Sequence, residues 1–385
     1  MKNSLIKFRN FLSRFFYKQI FKRILFLFDP EKVHHGAVRL GRILGSNFVT
    51  RWLTRFWFGY SNSSLEQSIL GIDFKNPVGL TAGFDKEGAL VGILPEVGFG
   101  FMEAGSITGE FCEGNEKPRL WRLKKSLSLV VHMGLNSSGC EKVAERFKKL
   151  VERSGRLCKI PVGLNVAKTN CVATSEIEVG IQDYLKAFKA LQEYSSYMTV
   201  NISCPNAGGG QPFTKAENLE KLLSEIDVAV SQKPVFLKMP PDLEIEDLDA
   251  VLAVTDKHKI AGLICSNLTK NRENRKVMSK VVETELPVKG GISGKPVEEL
   301  ANNLIAYVYK KYKRRYVIIG VGGIFCAEDA YKKIKLGASL VALVTGMIFE
   351  GPQLISDINL GLVELMKKDG FKNIGEAVGA ENKLA

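Results

Sequence analysis

A thiol and two amides stand close together in the segment NISCPN (201–206), which follows an apolar run of residues. The amides of Asn201 and Asn206 both donate and accept hydrogen bonds, which suits a planar imide or amide ligand. The thiol of Cys204 can act as a nucleophile or a general base once it has thiolate character. An isolated cysteine is more often an inert buried residue. Because polar residues flank Cys204 at the end of a predicted strand, we interpret it as a catalytic residue.

A second chemical feature is the glycine-rich turn GVGG (320–323), and Thr345-Gly346 closes the next apolar run. Backbone N–H groups that are left bare by glycine at the start of a helix bind phosphate well. Many (β/α)₈ barrels place a phosphate site after their seventh and eighth strands. The two turns fall at those places in the strand count given below, so they predict a ligand that carries phosphate.

Two lysines and an asparagine also lie at or near the ends of apolar runs: Lys86, Lys238 and Asn165. Lys238 stands inside the apolar run 235–239, and an unpaired buried charge is costly. Lys238 therefore needs an anion or a hydrogen-bond acceptor. A structural ion pair and a charged ligand both meet that need, and this residue alone leaves the two open.

Eight apolar runs place these residues, and helical patterns lie between most of the runs. The runs fall at about 76–82, 99–106, 160–166, 197–203, 234–239, 261–266, 316–321 and 339–345, and the helical patterns at about 140–154, 178–194, 216–230, 245–258, 296–312, 327–336 and 352–368. Buried strands with helical crossovers predict an α/β fold of the (β/α)₈ TIM-barrel class. An open doubly wound sheet is the alternative. We favour the barrel, since no G-x-G-x-x-G follows the first run and polar residues follow successive strands.

The N-terminal segment 1–28 contains seven lysines and arginines and no acidic residue, and phenylalanines are dense between the charges. This composition predicts an amphipathic helix that lies in the membrane interface. Charges interrupt the apolar residues, so no run approaches the roughly 20 residues that a membrane span needs. The unbroken apolar core of a secretory signal is also missing. The alternatives are a helix packed on the domain with solvated lysines, and a mitochondrial targeting segment.

The residues after this segment predict how the chain is divided. Asp29-Pro30-Glu31 indicates the cap and first turn of a second helix at about 31–44. We predict a helical extension over residues 1–50 and a catalytic barrel over residues 51–385. Residues 270–289 form a long polar insertion before the seventh strand, and long loops of this kind often serve as lids or binding loops.

Composition sets the remaining bounds. The chain has 385 residues, of which 45% are hydrophobic and 25% charged, which is typical of a globular protein. Its seven scattered cysteines contain no C-x-x-C pair, so we expect a reducing compartment and neither a disulfide framework nor a metal site. The net charge of +13 indicates an anionic partner. Much of this charge lies in the N-terminal segment, and we expect a membrane surface and a phosphorylated ligand but no nucleic acid.

Several motifs, taken in order, resemble those of dihydroorotate dehydrogenases. They are NPVGLTAGFDK (76–86), GLNS (134–137), NISCPN (201–206), GVGG (320–323) and GASL (337–340). In addition, DPEKVHH (29–35) resembles the start of the membrane-associated, quinone-reducing class 2 enzymes. The resemblance extends from about residue 15 to Asn382, and such collinearity is more specific than any single motif.

The resemblance implies both a reaction and a setting. FMN would lie at the C-terminal ends of the barrel strands. A base would remove a proton from C5 of dihydroorotate, a hydride would pass from C6 to flavin N5, and a quinone would accept the electrons. The resemblance also implies a monomer that is attached peripherally to the cytoplasmic face of the bacterial inner membrane. The mitochondrial inner membrane is the alternative, and the short segment before the Asp-Pro-Glu element favours the bacterial one.

Positions matched to the family receive roles from the resemblance. Cys204 would be the catalytic base, with Lys86 beside it. His34 and Arg122 would border a quinone tunnel. The substrate would be held by Lys86, Met133, Gly134, Leu135, Asn201, Asn206 and Asn267. FMN would be held by Ala82, Gly83, Ser106, Asn165, Asn201, Lys238, Ser266, Gly294, Gly322, Gly323, Val344 and Thr345.

One departure from the family concerns the base itself. Class 2 enzymes usually have serine where Cys204 stands, and cysteine is the usual base of the soluble class 1 enzymes. The chain therefore combines a class 2 extension with a class 1-like base. A thiol has a reference pKa of about 8.5, closer to neutral than that of a hydroxyl, so the substitution leaves a competent base.

Other departures remove polar contacts. Val131 replaces a family asparagine that contacts flavin and substrate, Leu268 replaces a hydroxyl residue and Val344 replaces a tyrosine. Met133 and Leu135 replace aromatic residues. Each polar group of a buried ligand that is left unpaired costs about 1–3 kcal/mol. Two alternative functions follow: an FMN oxidoreductase that acts on a different dihydropyrimidine or an enone, and an inactive membrane-bound flavin-binding homologue.

Overall fold

The computed structural model describes residues 2–204 and 210–382. The strands of this part of the chain are β1 Gln67–Ile69, β2 Ile72–Phe74, β3 Val78–Leu80, β4 Phe101–Ile107, β5 Leu120–Leu123, β6 Ser128–Val131, β7 Val162–Val166, β8 Tyr197–Asn201, β9 Val235–Lys238, β10 Ile260–Cys265, β11 Gly291–Ile292, β12 Val317–Val321 and β13 Leu340–Leu343.

The helices are α1 Lys2–Phe16, α2 Lys22–Leu25, α3 Pro30–Ser46, α4 Phe48–Phe58, α5 Leu94–Val97, α6 Cys140–Ser154, α7 Ile177–Leu191, α8 Ala216–Ala229, α9 Ile245–Thr255, α10 Arg275–Met278, α11 Glu298–Tyr312, α12 Ala327–Leu336, α13 Thr345–Glu350, α14 Leu354–Lys368 and α15 Ile374–Ala377. A π-helical turn, Tyr17–Phe21, joins α1 to α2. Short 3₁₀ turns lie at Ser63–Leu65, Ala173–Ser175, Gln192–Tyr194, Pro212–Thr214, Lys295–Val297 and Lys313–Arg315.

In the described residues, eight parallel strands close into a barrel in the order β3-β4-β7-β8-β9-β10-β12-β13. Each strand overlaps one of the apolar runs, and all seven predicted helices are present. The predicted TIM barrel is therefore confirmed. All eight carboxyl ends meet at one face of the barrel, where enzymes of this fold build their active sites.

Aromatic side chains fill the barrel interior, and each lies against a glycine of a neighbouring strand. A Cβ atom added at Gly79, Gly163 or Gly262 would lie within 2.4 Å of an aromatic ring of a neighbouring strand. Glycine is therefore the residue that lets each ring occupy the barrel axis. The rings belong to Phe101, Tyr197 and Phe236. The antiparallel pair β1-β2 closes the far end, where Phe74 meets the Phe101 ring edge-on at 5.6 Å.

A smaller antiparallel sheet, in the order β11-β6-β5, lies beside the barrel mouth. The polar insertion 270–289 packs against it through α10, and Val277 of α10 is fully buried in a cluster with Val130 and Ile292. Glu283 of the insertion accepts a hydrogen bond from the backbone N–H of Lys125 at 2.8 Å. The insertion is thus tied to the sheet on which part of the site is built.

The N-terminal extension consists of α1 to α4. Asp29 caps α3 by accepting from the backbone N–H of Lys32 at 2.9 Å, which confirms the predicted second helix. Asn10 of α1 is buried against α14 and donates to Asp357 at 2.9 Å. The predicted domain boundary at residue 50 lies inside α4 (Phe48–Phe58).

The outer faces of these helices carry many exposed apolar side chains. On α1 they are Leu5, Phe8, Phe11, Phe15 and Phe16, on α3 Leu40 and Ile43, and on α4 Phe48, Val49, Trp52, Leu53, Phe56 and Trp57. Such a large exposed apolar surface is characteristic of a protein or membrane contact. Among the helices of the described residues, none is long and apolar enough to cross a bilayer.

Candidate active site

A cavity opens at the carboxyl ends of the barrel strands, between the barrel, the small sheet and the extension. Residues from the ends of β3, β4, β8, β9, β10, β12 and β13 line it, together with His34 of α3. The cavity is polar where Lys86, Asn201, Cys204 and Lys238 face it, and apolar towards the extension. Strands of a closed barrel hold such side chains rigidly, so the fold presents a preorganised site.

A chain of hydrogen bonds connects the polar ends of three neighbouring strands. The Nδ2 of Asn201 on β8 donates to Oγ of Ser106 on β4 at 2.9 Å, and Ser106 donates to Oδ1 of Asn165 on β7 at 2.5 Å. These bonds orient each side chain, because every partner is itself held. The Nδ2 of Asn165 is buried and has no partner among the described residues, so it is a donor for a ligand.

Ser203 joins two of the amides that line the cavity, Asn201 and Asn267. Its backbone N–H and Oγ both donate to Oδ1 of Asn201, and its carbonyl and Oγ lie 2.9 and 3.0 Å from Nδ2 of Asn267. Ser203 is fully buried. It did not receive a predicted role, although it lies next to the predicted base. Its function is to fix two predicted substrate-binding amides at once.

Lys86 lies at the boundary of the cavity and donates a hydrogen bond to Oδ1 of Asn136. Burial and the charge of Arg119 lower the pKa of Lys86 to about 8, whereas Glu31 and Cys204 act in the opposite direction. The ammonium is therefore mostly protonated at neutral pH. An anionic ligand in the cavity would keep it protonated further into the alkaline range.

Cys204 is partly buried and lines the same cavity. Four lysines are close enough for the charge of Cys204 to raise their pKa values: Lys86, Lys168, Lys238 and Lys270. Coulombic attraction is mutual, so these cations stabilise a thiolate at Cys204. A thiolate is the form in which cysteine acts as a base or nucleophile.

Glycine backbone forms another part of the cavity wall. Gly294, Gly322 and Gly323 have φ values of 81°, 118° and 75°, in the region that disfavours other residues. A Cβ atom at Gly323 would lie 2.3 Å from Cβ of Glu298. The hydroxyls of Thr345 and Ser293 are 3.0 Å apart beside them. This combination of backbone N–H groups and hydroxyls at the start of α13 suits a phosphate group.

The residues of the cavity fit the flavin that the sequence predicts. The buried Nδ2 of Asn165 and the buried Oγ1 of Thr81 both lack partners in the described residues, as expected where a polar ligand completes the bonding. A Cβ atom at Gly83 would meet nothing within 4 Å, so open space faces this backbone. The cationic Lys238 is buried at the end of β9 and lines the cavity. A polar ring system with a phosphate tail has donors, a cation and glycine amides available.

A fully buried carboxylate lies near Lys238. Glu103 of β4 accepts from Oγ1 of Thr199 at 2.7 Å, and its second oxygen has no partner in the described residues. Burial lowers the pKa of Lys238, and the charge of Glu103 raises it. Glu103 therefore favours the charged form of the lysine. The sequence alone had not connected these two residues.

The apolar end of the cavity points towards the extension. Leu120, Leu129, Val131, Phe325 and Ile348 line it and pack in one cluster with Phe26, which follows α2. His34 lines the cavity and meets the Phe84 ring edge-on at 4.9 Å. Burial lowers the pKa of His34 to about 4, with Lys86 and His35 adding to the effect. The imidazole is therefore neutral at physiological pH, as an apolar path requires.

Arg122 takes a different position from His34. Its side chain does not line the cavity; its guanidinium stacks on the Phe26 ring at 4.5 Å and donates to the Phe28 carbonyl at 2.9 Å. It thus holds the end of the extension beside the apolar wall. Its place at a quinone tunnel stays a prediction.

Most of the predicted site residues meet in this one cavity. Its lining includes Lys86, Met133, Gly134, Leu135, Asn201, Cys204 and Asn267, and also Ala82, Gly83, Ser106, Lys238, Ser266, Gly294, Gly322, Gly323, Val344 and Thr345. Asn165 lies behind Ser106, and Asn206 lies outside the described residues. The substituted positions Val131 and Leu268 line the cavity as well.

Several lining residues had not been predicted. They include Thr81, Phe84, Leu120, Leu129, Ser293, Val297, Phe325 and Ile348. Thr81 lies within the motif NPVGLTAGFDK, so its position next to Ala82 was an available signal. Leu129 and Ser293 come from segments far apart in the sequence, and the pairing of β6 with β11 brings them together.

Comparisons with known proteins agree with this geometry. The family model of dihydroorotate dehydrogenase matches residues 64–366. A "Dihydroorotate dehydrogenase (quinone)" of Crocosphaera subtropica is 37% identical, and the match covers 92% of this chain and 94% of the relative. A protein of the same name from Christiangramia forsetii is 37% identical over 90% of this chain and 99% of its own.

Solved structures are similar as well. The structure of DHODH from Eimeria tenella in complex with ferulenol has a TM-score of 0.78 and 28% identity, covering 92% of this chain and 96% of that one. The ligand-free enzyme of the same organism has a TM-score of 0.76 and covers 89% of this chain. Both structures cover a larger share of this chain than residues 64–366, which the family model matches.

Proposed function

The chain belongs to the dihydroorotate dehydrogenase family, and from this premise we propose that it oxidises dihydroorotate to orotate with FMN as cofactor and a membrane quinone as electron acceptor. The observation that carries the proposal is the cavity in which Cys204, Lys86, Asn201 and Asn267 face one another. Such an arrangement combines a base, a cation and two amides, which match the acidic C–H, the carboxylate and the ring amides of dihydroorotate.

Cys204 is the proposed base that takes the proton from C5 of the substrate. The four surrounding lysines favour its thiolate, which is the state that can accept a proton. After the transfer the thiol is neutral, and solvent or a neighbouring group regenerates the thiolate. Lys86 pairs with the substrate carboxylate, and the hydrogen-bonded amides of Asn201 and Asn267 orient the ring.

The proposed FMN site uses residues on the other side of the same cavity. Bound FMN supplies the acceptor for the hydride that leaves C6 of the substrate. Lys238 provides a positive charge beside the ring, Asn165 offers its unpartnered amide N–H, and the glycines with Thr345 hold the phosphate. The isolation of these groups from water strengthens each interaction, because charge attraction is greater in a medium of low dielectric.

The electron acceptor is proposed to approach through the apolar end of the cavity. The lining by Leu129, Val131 and Ile348, and the neutral state of His34, suit a quinone ring and exclude charged compounds. The exposed apolar and basic surface of α1, α3 and α4 suits attachment to an anionic membrane surface. We place the protein as a peripheral monomer on the cytoplasmic face of a bacterial inner membrane.

The proposed reaction is tested with purified protein under anaerobic conditions. The protein is expected to contain FMN, to lose its flavin absorbance when dihydroorotate is added, and to recover it when a quinone analogue follows. Orotate should appear in equal amount to the flavin reduced. Full flavin occupancy without bleaching at high dihydroorotate concentration would reject the substrate.

Attachment to the membrane is tested separately. Deletion of residues 1–45 is expected to release the protein from membranes and to slow flavin reoxidation by quinone, while dihydroorotate still bleaches the flavin. A milder variant, Phe8→Ser with Phe11→Ser, retains the buried Asn10 contact and should reduce membrane binding alone. Unchanged quinone kinetics in the deletion would remove the tunnel assignment.

A second candidate function is oxidation of a less polar substrate, such as another dihydropyrimidine or an enone. It is favoured by the lining of the cavity with Val131, Leu268 and Val344, where the family usually has polar residues. The variant Val131→Asn separates the two. If dihydroorotate is the substrate, Val131→Asn should raise the rate of flavin reduction by dihydroorotate. If the substrate is a less polar compound, that rate should not improve.

A further inference from the structure

A second cavity adjoins the first beside Lys86. Residues of α3 form one wall, and the segment 84–89 after β3 forms another. The remaining walls come from residues 111–113 and 136–138 and from Arg146 of α6. The two cavities share His34, Phe84 and Lys86 as lining residues. The two cavities therefore adjoin at these three residues.

Cations without partners mark the mouth of this second cavity. Arg39 and Arg42 of α3 are exposed and line it. Neither forms a hydrogen bond or an ion pair with any residue of 2–204 or 210–382. An arginine guanidinium presents a planar fork of donors that matches a carboxylate or a phosphate group. These two therefore offer free guanidinium groups to an anionic ligand.

Arg146 stands deeper in the cavity and is only partly satisfied. Its Nη1 donates to Glu87 at 2.9 Å, while its Nε and Nη2 are buried and have no partner in the described chain. Its guanidinium carbon lies 5.5 Å from the Phe147 ring centre. Buried donors that lack acceptors are costly, so an anion or water that enters the cavity gains two good donors.

Three carboxylates line the cavity against four cations, and each has partners or a position that leaves Arg39 and Arg42 unpaired in the described chain. Both oxygens of the Asp85 carboxylate accept backbone hydrogen bonds, from Ala89 at 2.8 Å and Leu90 at 2.7 Å. Glu87 pairs with Arg146. Glu113 is exposed, and within the described chain no ion pair joins it to Arg39 or Arg42. Arg39 and Arg42 thus remain as uncompensated charge along the α3 wall.

The inner end of the cavity is the catalytic lysine itself. The Nζ of Lys86 donates to Oδ1 of Asn136, and Asn136 lines the second cavity. The ammonium group therefore faces both cavities. The four cations of the lining thus comprise two exposed residues, Arg39 and Arg42, and two part-buried ones, Arg146 and Lys86, the last of which also lines the first cavity.

We propose that the second cavity is the path by which the anionic substrate enters and the anionic product leaves, separate from the apolar path of the quinone. This proposal rests on the proposed function and deepens it. An excess of positive charge along a cavity raises the local concentration of an anionic ligand and its association rate. The substrate carboxylate would pass from one guanidinium to the next and displace Asn136 from Lys86.

The proposal is tested by rapid anaerobic mixing of the detergent-solubilised, FMN-loaded enzyme with dihydroorotate. At about 20 mM salt, where screening is weak, the double variant Arg39→Gln, Arg42→Gln should reduce flavin roughly 10-fold more slowly in the second-order regime. Its salt dependence should flatten. The rate at saturating substrate, and reoxidation by a quinone analogue, should stay at the wild-type values.

Two matched variants control for charge. Arg39→Lys, Arg42→Lys keeps both charges and should retain the wild-type association rate. Lys367→Gln, Lys368→Gln removes two exposed charges at the end of α14, which line neither cavity, and should also retain it. If Lys367→Gln, Lys368→Gln slows association as much as Arg39→Gln, Arg42→Gln does, the slowing results from net charge alone and the path is overturned.

Other outcomes separate the path from its premise. An Arg39→Gln, Arg42→Gln variant that associates at the wild-type rate overturns the path while the proposed function stands. A wild-type enzyme whose flavin dihydroorotate does not reduce overturns both. Binding to phosphatidylglycerol vesicles is measured in parallel. If the glutamine variant loses vesicle binding but keeps its association rate, the arginines serve lipid headgroups and the path is rejected.

Discussion

Replacement of Lys333 by methionine is expected to stabilise the protein, and to do so more at neutral than at alkaline pH. Lys333 lies on α12 with no solvent exposure, and its Nζ donates to Oδ1 of Asn302 at 2.7 Å. Burial lowers its pKa from 10.5 to about 7; Glu298 and Asp329 oppose this, and Lys295 adds to it. The fold therefore holds a lysine whose charged form it disfavours.

The magnitude follows from the two pKa values of Lys333. The unfolded chain keeps the proton up to about pH 10.5 and the folded chain loses it near pH 7. Between these values the unfolded state binds more protons, so stability rises with pH. At 1.36 kcal/mol for each pKa unit, the cost is about 4 kcal/mol at pH 7 and about 2 kcal/mol at pH 9. Methionine removes this cost but leaves Asn302 without its donor, which costs about 1–3 kcal/mol.

Lys333→Met should therefore be about 2 kcal/mol more stable than the wild type at pH 7 and nearly equal to it at pH 9. Urea unfolding at both pH values measures the difference in the free energy of unfolding. The exposed neighbour Lys332, changed to methionine, is the control and should show no such pH dependence. A Lys333→Met stabilisation that is the same at pH 7 and pH 9 would refute the reasoning.

Two further predictions concern buried carboxylates. Glu31→Gln should lower the free energy of unfolding by about 3–5 kcal/mol. Glu31 and Arg119 are both buried, and the 2.8 Å hydrogen bond between them ties α3 to the small sheet. A melting temperature equal to that of the wild type would contradict this prediction. Glu103→Gln should lower the pKa of Lys238 further, since the charge of Glu103 raises it. The midpoint potential of bound FMN, measured by spectroelectrochemistry, should then fall more steeply with pH than in the wild type; parallel curves would contradict this.

The barrel was predictable because each of its strands is a short buried run between turns. The eight runs and the seven helical patterns are local features, and the structure places strands and helices on all of them. In contrast, the small sheet depends on pairing between residues 120–131 and residues 291–292. No local pattern reveals such a pairing. Helix α4 was missed although Asn47 caps it by accepting from the backbone N–H of Val49 at 2.7 Å, a signal that the sequence contains.

The site was predictable to the extent that its residues follow strands. Lys86, Asn201, Cys204 and Lys238 each end a strand or follow one, and the barrel brings them to one mouth. The buried side chains that hold these residues in place were not predictable in this way. Ser203 and Glu103 act through hydrogen bonds and charges between strands, which exist only once the barrel has closed. The second cavity likewise requires the packing of α3 against the barrel.

The central claim is that the Cys204 thiolate removes a proton from the substrate while FMN is bound beside it. The most direct test compares wild type and Cys204→Ala, both loaded with FMN, in single-turnover reduction by dihydroorotate without oxygen. The alanine variant is expected to bind FMN and orotate normally and to lose at least a hundredfold in the rate of flavin reduction, in keeping with the usual contribution of a general base of about 10²–10⁴-fold. A variant that bleaches its flavin at the wild-type rate would contradict the account.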